Sequence, residues 1–144
     1  MISIGKLLDQ MNDSLVDRAC KVARDLDKRN IKGEEGKNQI NKAIEVAQES
    51  GSLKVLYNWL AYQAAREKSQ SFWIQECGKT KLVERLVDEI EEIKKAVRGK
   101  LEGVDEDEVK SCVTEAVVRF LGFFARAYNG HEYLHLYFVG EVDR

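Results

Sequence analysis

The chain has 144 residues, 44% hydrophobic and 33% charged, with Lys+Arg 23 against Asp+Glu 25. That length suits one domain with one core, and the hydrophobic share excludes a disordered tail. The balanced charge is not that of a free-standing nucleic-acid binder, which is clearly basic, so any RNA contact is expected on one face or within an assembly.

Proline is absent, so nothing forces a helix to break. Cys20, Cys77 and Cys112 form no CxxC pair, and reduced thiols in a cytoplasmic protein are expected. The start, MISIGKLLDQ, is too short and too charged for a signal peptide, and no apolar run approaches the ~20 residues of a membrane span. The charge surplus is spread along the chain, as in long helices laced with Glu–Lys pairs and in thermophile proteins.

Residues 4–11 read as a short amphipathic helix. Asn12, Asp13 or Ser14 then suits the cap of a second helix, running to about residue 30 with Leu15, Ala19, Val22, Ala23 and Leu26 facing inward. Residues 33–36 read as a loop. Residues 38–49 predict a helix burying Ile40, Ala43, Ile44 and Ala47, and Ser50-Gly51-Ser52 reads as a stop and restart.

Residues 53–67 carry two apolar stripes. One is Leu53, Leu56, Tyr57, Leu60 and Ala64, the other Val55, Trp59 and Tyr62, which predicts a central helix. A connector with Phe72 and Trp73 leads to a helix over 79–98, with Leu82, Val83, Leu86, Ile90, Ile93 and Val97 on one face. Residues 99–103 read as a loop. The acidic run at 105–108 suits the start of a helix reaching residue 129, apolar almost all round except for Glu115, Arg119 and Arg126. The tail HEYLHLYFVGEVDR is rich in aromatic and β-branched residues and reads as an extended segment. The fold class expected is all-α: a single helical-bundle domain, 1–144, of about five to six helices, with a C-terminal tail that reads as either strand or continuing helix.

Three patterns bear on chemistry. His131-Glu132-Tyr133-Leu134-His135 reads HExxH. On an α-helix its His131 and His135 share a face and can hold Zn²⁺, with Glu132 as general base of a small hydrolase. On a strand they lie ~13 Å apart and cannot, and the tail is then packing material. Arg126 and His131 match the R-x4-H spacing of helical HEPN ribonucleases, the plainer reading being a strip arginine and a tail histidine. Arg18, Lys21, Arg24, Lys28 and Arg29 share one side of the second predicted helix, opposite its apolar stripe, and are spaced to follow an RNA backbone. Asp17 and Asp25 interrupt that side, as on a solvated mixed-charge face. Phosphate-loop patterns fail, since Gly78-Lys79-Thr80 has Trp73 where the first Gly belongs.

Three further stretches carry a resemblance: Asp17-Arg18-Ala19; residues 47–53 (AQESGSL) leading into Leu56-Tyr57-Asn58-Trp59-Leu60; and residues 115–127, EAVVRFLGFFARA. In these the chain resembles the small all-helical subunit of type III-B CRISPR (Cmr) RNA-silencing effector complexes. The match is one of pattern over most of the chain, and the tail after Gly130 lies outside it. The resemblance implies a non-catalytic bundle without cofactor or metal, stacking side by side with copies of itself beside other effector subunits. Guide and target RNA would be contacted by Arg18, Lys21, Arg24 and Lys28 on one helix and by Arg119 and Arg126 on another.

Overall fold

Leu7, Leu8, Met11, Leu15, Ala19, Val22 and Ala23 recur at steps of three and four, and the computed structural model folds them into one helix, α1 (Ile4–Asp25). The structure describes residues 3–27, 33–66 and 71–141. The break expected at Asn12, Asp13 and Ser14 does not occur. Asp13 and Ser14 are exposed and Asn12 half-buried, on a side of α1 where polar groups remain hydrated. The N-cap is instead Ser3, whose hydroxyl accepts from the Lys6 amide at 3.2 Å.

Helix α2 (Gly33–Ser50) begins where a loop was expected. Glu34 and Glu35 favour a helix N-terminus by charge, and Gly36 is buried because Tyr128 packs directly on it. Ile40, Ala43 and Ala47 face the core, with Ile44 partly buried beside them. Gly51, at φ 61°, reverses the chain, and Ser52 Oγ accepts the Val55 amide at 3.3 Å to start α3 (Leu53–Arg66).

The central position expected for α3 is not observed. Leu56 and Leu60 are buried, but Val55 is 47% exposed and Tyr62 63%. The second stripe faces solvent except at Trp59, whose ring meets Trp73 edge-on at 6.0 Å. The centre is filled by the more uniformly apolar last helix.

A 3-10 turn (Phe72–Ile74) leads to β1 (Glu76–Cys77), paired antiparallel with β2 (Thr80–Lys81). Gly78, at φ 65°, makes the turn and donates its amide to Asp25 O at 3.0 Å, while Asp27 donates to Glu76 O at 2.9 Å. This small hairpin pins the end of α1 to the start of α4 (Leu82–Lys100). Helix α5 (Glu106–Asn129), capped by Asp105, buries Val109, Val113, Val117, Phe120, Leu121 and Phe124 among others.

Contacts fix the helix directions. Arg119 reaches Asp9 and Asn12, and the segment after α5 returns to Asp17 and Arg24, so α1 and α5 run parallel. Gly36 lies at Tyr128 and Gly51 at Thr114, so α2 runs antiparallel to α5. Arg18–Glu89 and Asp25–Arg85 set α4 antiparallel to α1. Helix α5 is thus enclosed by α1, α2 and α4, with α3 outside on α2 and α4.

The tail is not extended. His131–Leu136 forms a 3-10 helix, followed by turns to Gly140. Its amides bond locally, as in Tyr133 to Gly130 O and Tyr137 to Leu134 O, both 3.0 Å, and no strand edge lies alongside to pair with it among the described residues. Leu134 is its buried anchor. All three thiols are buried, and among the described residues no helix is long and apolar enough to cross a membrane.

Candidate nucleic-acid interface

The cations of α1 separate into two kinds. Arg18 Nη1 donates to Glu89 Oε1 at 2.8 Å, and Glu89 also accepts from Arg85 Nε at 3.3 Å. Arg85 Nη1 continues to Asp25 Oδ2 at 2.9 Å, which makes a half-buried charge chain joining α1 and α4. Burial alone would raise the Asp25 carboxyl. The hydrogen bonds from Arg85 and Arg24 outweigh it and hold the group below the usual carboxylate range. Arg18 is therefore a tie between helices.

Lys21 and Arg24 are more accessible, with side chains 43% and 49% exposed. Lys21 pairs with Asp17 one turn earlier at 2.8 Å, and Arg24 with Asp25 at 3.1 Å. Exposed pairs of this kind hold weakly, on the order of 0–1 kcal/mol. Arg24 also lies over the Phe138 ring at 5.0 Å and so touches the tail. Lys28 and Arg29 lie outside the described residues.

On α5, Arg119 binds Asp9 at 3.1 Å and Asn12 at 3.2 Å, with Glu115 at 3.6 Å, so it too ties helices together. Arg126 is exposed and stacks over Phe123 at 5.0 Å. Among the described cations that the sequence singled out, Lys21, Arg24 and Arg126 are thus the most exposed.

The HExxH histidines do not share a face. A 3-10 helix turns once per three residues, so positions four apart diverge by about 120° and ~8 Å along the axis. His131 Nδ1 sits 3.0 Å from Tyr128 O, while His135 is exposed with its ring 6.4 Å from that of Tyr133. No group of three potential metal ligands occurs among the described residues. In the R-x4-H pattern, Arg126 is on Phe123 and His131 on the Tyr128 carbonyl, so each is held by a separate neighbour.

One cationic site escaped the sequence reading. Lys54 of α3, Lys94 and Arg98 of α4, and Lys110 of α5 line a groove of about 390 Å³ floored by the Gly51-Ser52 turn. Thr114 Oγ1 donates to Gly51 O at 3.4 Å and holds that turn against α5. Lys94 and Arg98 are one turn apart and visible as a pair, but three helices converge here, which no linear spacing reveals. Set against known families, curated proteins and solved structures, the chain matches no family model, no curated protein and no solved structure.

Proposed function

We propose that this chain is a non-catalytic, RNA-contacting structural subunit of a CRISPR-type RNA-guided complex, similar to the Cmr small subunit. One observation carries the reading: part of each of the three stretches behind the resemblance lies on or against a single helix, α5, while Leu56–Leu60 sit on α3 outside it. Residues 115–127 form the middle of α5; the Gly51 turn docks on α5 through Thr114; and Asp17-Arg18-Ala19 belongs to α1, which runs parallel to α5. A pattern that recurs in separate segments and meets in one core constrains a fold, whereas scattered surface matches would not.

On this reading the surface cations Lys21, Arg24 and Arg126 meet RNA phosphates, while Arg18 and Arg119 hold the helices in register. Other subunits would supply guide loading and cutting, and copies would stack side by side in the cytoplasm.

The test is recovery of the tagged chain from its own cells. Partner proteins are identified by mass spectrometry and bound RNA by sequencing. Short guide-like RNA with several subunits is the expected result. Recovery of the chain alone, free of RNA, would reject the reading.

A further inference from the structure

We infer that the groove between α3, α4 and α5 is a phosphodiester site that holds the backbone of single-stranded RNA. This deepens the RNA-contacting reading and rests on it. The groove brings together Lys54, Lys94, Arg98 and Lys110 from three helices around the Gly51-Ser52 turn.

The opposing charges are Glu91, which meets Lys94 at 3.3 Å, and Glu106, which binds Arg98 at 2.9 Å and 3.2 Å. These two carboxylates pair with groove cations, and Asp107 lines the adjoining cleft together with Lys110. Both carboxylates pair at the surface, with Glu91 38% and Glu106 59% exposed, so a phosphate can compete with them for the same donors.

The backbone adds to this. Ser52 Oγ takes the Val55 amide, and the amides of Leu53 and Lys54 head the first turn of α3, where an N-terminus is electropositive. A fork-shaped Arg98 and lysines on long stems, Lys94 among them paired with Glu91, provide both oriented and adaptable donors. The volume is about 390 Å³, enough for a short run of sugar-phosphate. Backbone binding of this kind reads charge and not sequence.

The experiment uses amide NMR on the full chain, titrated with single-stranded octauridylate and, separately, with inorganic phosphate. The comparison proteins are Lys54→Gln/Lys110→Gln and Lys21→Gln/Arg24→Gln. The four substituted side chains belong to helix surfaces, so both proteins should keep the fold, with local shifts near Asp25 and Phe138 where Arg24 is replaced. RNA is expected to shift the amides of residues 51–54 and 110–114. The groove variant should bind about tenfold more weakly, with the salt slope reduced by about 1–2. RNA shifts centred on Lys21 and Arg24, unchanged in the groove variant, would overturn the groove and leave the RNA reading standing. Absence of RNA binding would overturn the groove, whereas the RNA-contacting reading falls on recovery of the chain from its own cells free of RNA. Phosphate shifts in the groove without RNA shifts there would reduce it to a small-anion site and overturn the inference.

Discussion

The ring of Tyr128, in the last turn of α5, lies so close on Gly36 of α2 that a Cβ at position 36 would overlap its hydroxyl end. The backbone of α2 thus approaches α5 as it does only because residue 36 lacks a side chain. The Tyr128 hydroxyl itself is buried without a hydrogen-bond partner among the described residues.

Gly36→Ala is therefore expected to destabilise the domain by about 1–3 kcal/mol despite the higher helix propensity of alanine. Thermal unfolding checks this, with a fall in Tm of ~2–9 °C at this chain size. Tyr128→Phe removes the nearest clashing atom and an unsatisfied hydroxyl. It should be neutral or stabilising alone, and should recover part of the loss in the double variant. Additive effects would show that the two residues do not meet.

The Gly36 contact also marks a limit of the sequence. Gly33 and Gly36 around two glutamates resemble a loop, and only the partner 92 positions away makes the second glycine a packing device. The apolar stripes of α1, α4 and α5 were legible because their burial follows the 3.6-residue period: Leu82, Leu86, Ile90, Ile93 and Val97 are buried as the spacing required, with Val83 partly buried at the edge of the stripe. Helix α3 was misread as central because Val55 and Tyr62 are apolar by residue type yet exposed, and nothing local distinguishes a spare apolar stripe from a buried one. The candidate site was least legible. Arg18 and Arg119 look like free surface cations in the sequence, but their acidic partners lie 71 and 110 residues away.

The Asp25–Arg85 pair gives a pH dependence with a definite sign. The Asp25 carboxyl titrates lower in the folded chain than its unfolded value of about 3.9. Its contribution is fully present above that value and is lost as pH falls through the lower folded value. Arg85→Met removes the donor to both Asp25 and Glu89. It should cost about 1–3 kcal/mol at pH 7 and should cost less as pH drops below about 4, since the parent loses the same interaction there. Urea titrations at pH 7 and pH 3 check this. A cost that stays constant across that range would assign the effect to lost packing.

The thiols should be silent in the native state. Burial pushes the Cys77 thiol up to about 11 and raises Cys20 and Cys112 as well. Cys77 also donates to Val22 O at 3.4 Å across the hairpin that clamps α1. A disulfide-exchange reagent at pH 8 should label none of the three thiols before unfolding and all three in urea. The raised Cys77 value also works against the fold in alkali. Its contribution is complete below the unfolded value of about 8.5 and is lost as pH rises through about 11. Cys77→Ala should flatten that alkaline loss. Rapid labelling of Cys77 in the folded protein would instead mean that the hairpin opens readily.

The HExxH sequence makes the most direct test of the tail geometry. In the 3-10 helix His131 and His135 point about 120° apart, so a shared zinc ion would require rewinding the segment as an α-helix. That rewinding would withdraw Leu134 from its anchor and break the contacts of Tyr137 with Asp17 at 3.2 Å and of Phe138 with Arg24 at 5.0 Å. Losing the Leu134 contact alone is worth about 2 kcal/mol or more. A structural zinc site supplies ~10–16 kcal/mol when all four ligands are present, but a pair of histidines supplies only part of that. After dialysis against equimolar zinc and then against buffer, the chain is expected to retain well under one zinc per molecule by elemental analysis, with His131→Ala unchanged. One zinc per chain, lost in His131→Ala, would show that the tail rewinds on metal and would favour the hydrolase reading.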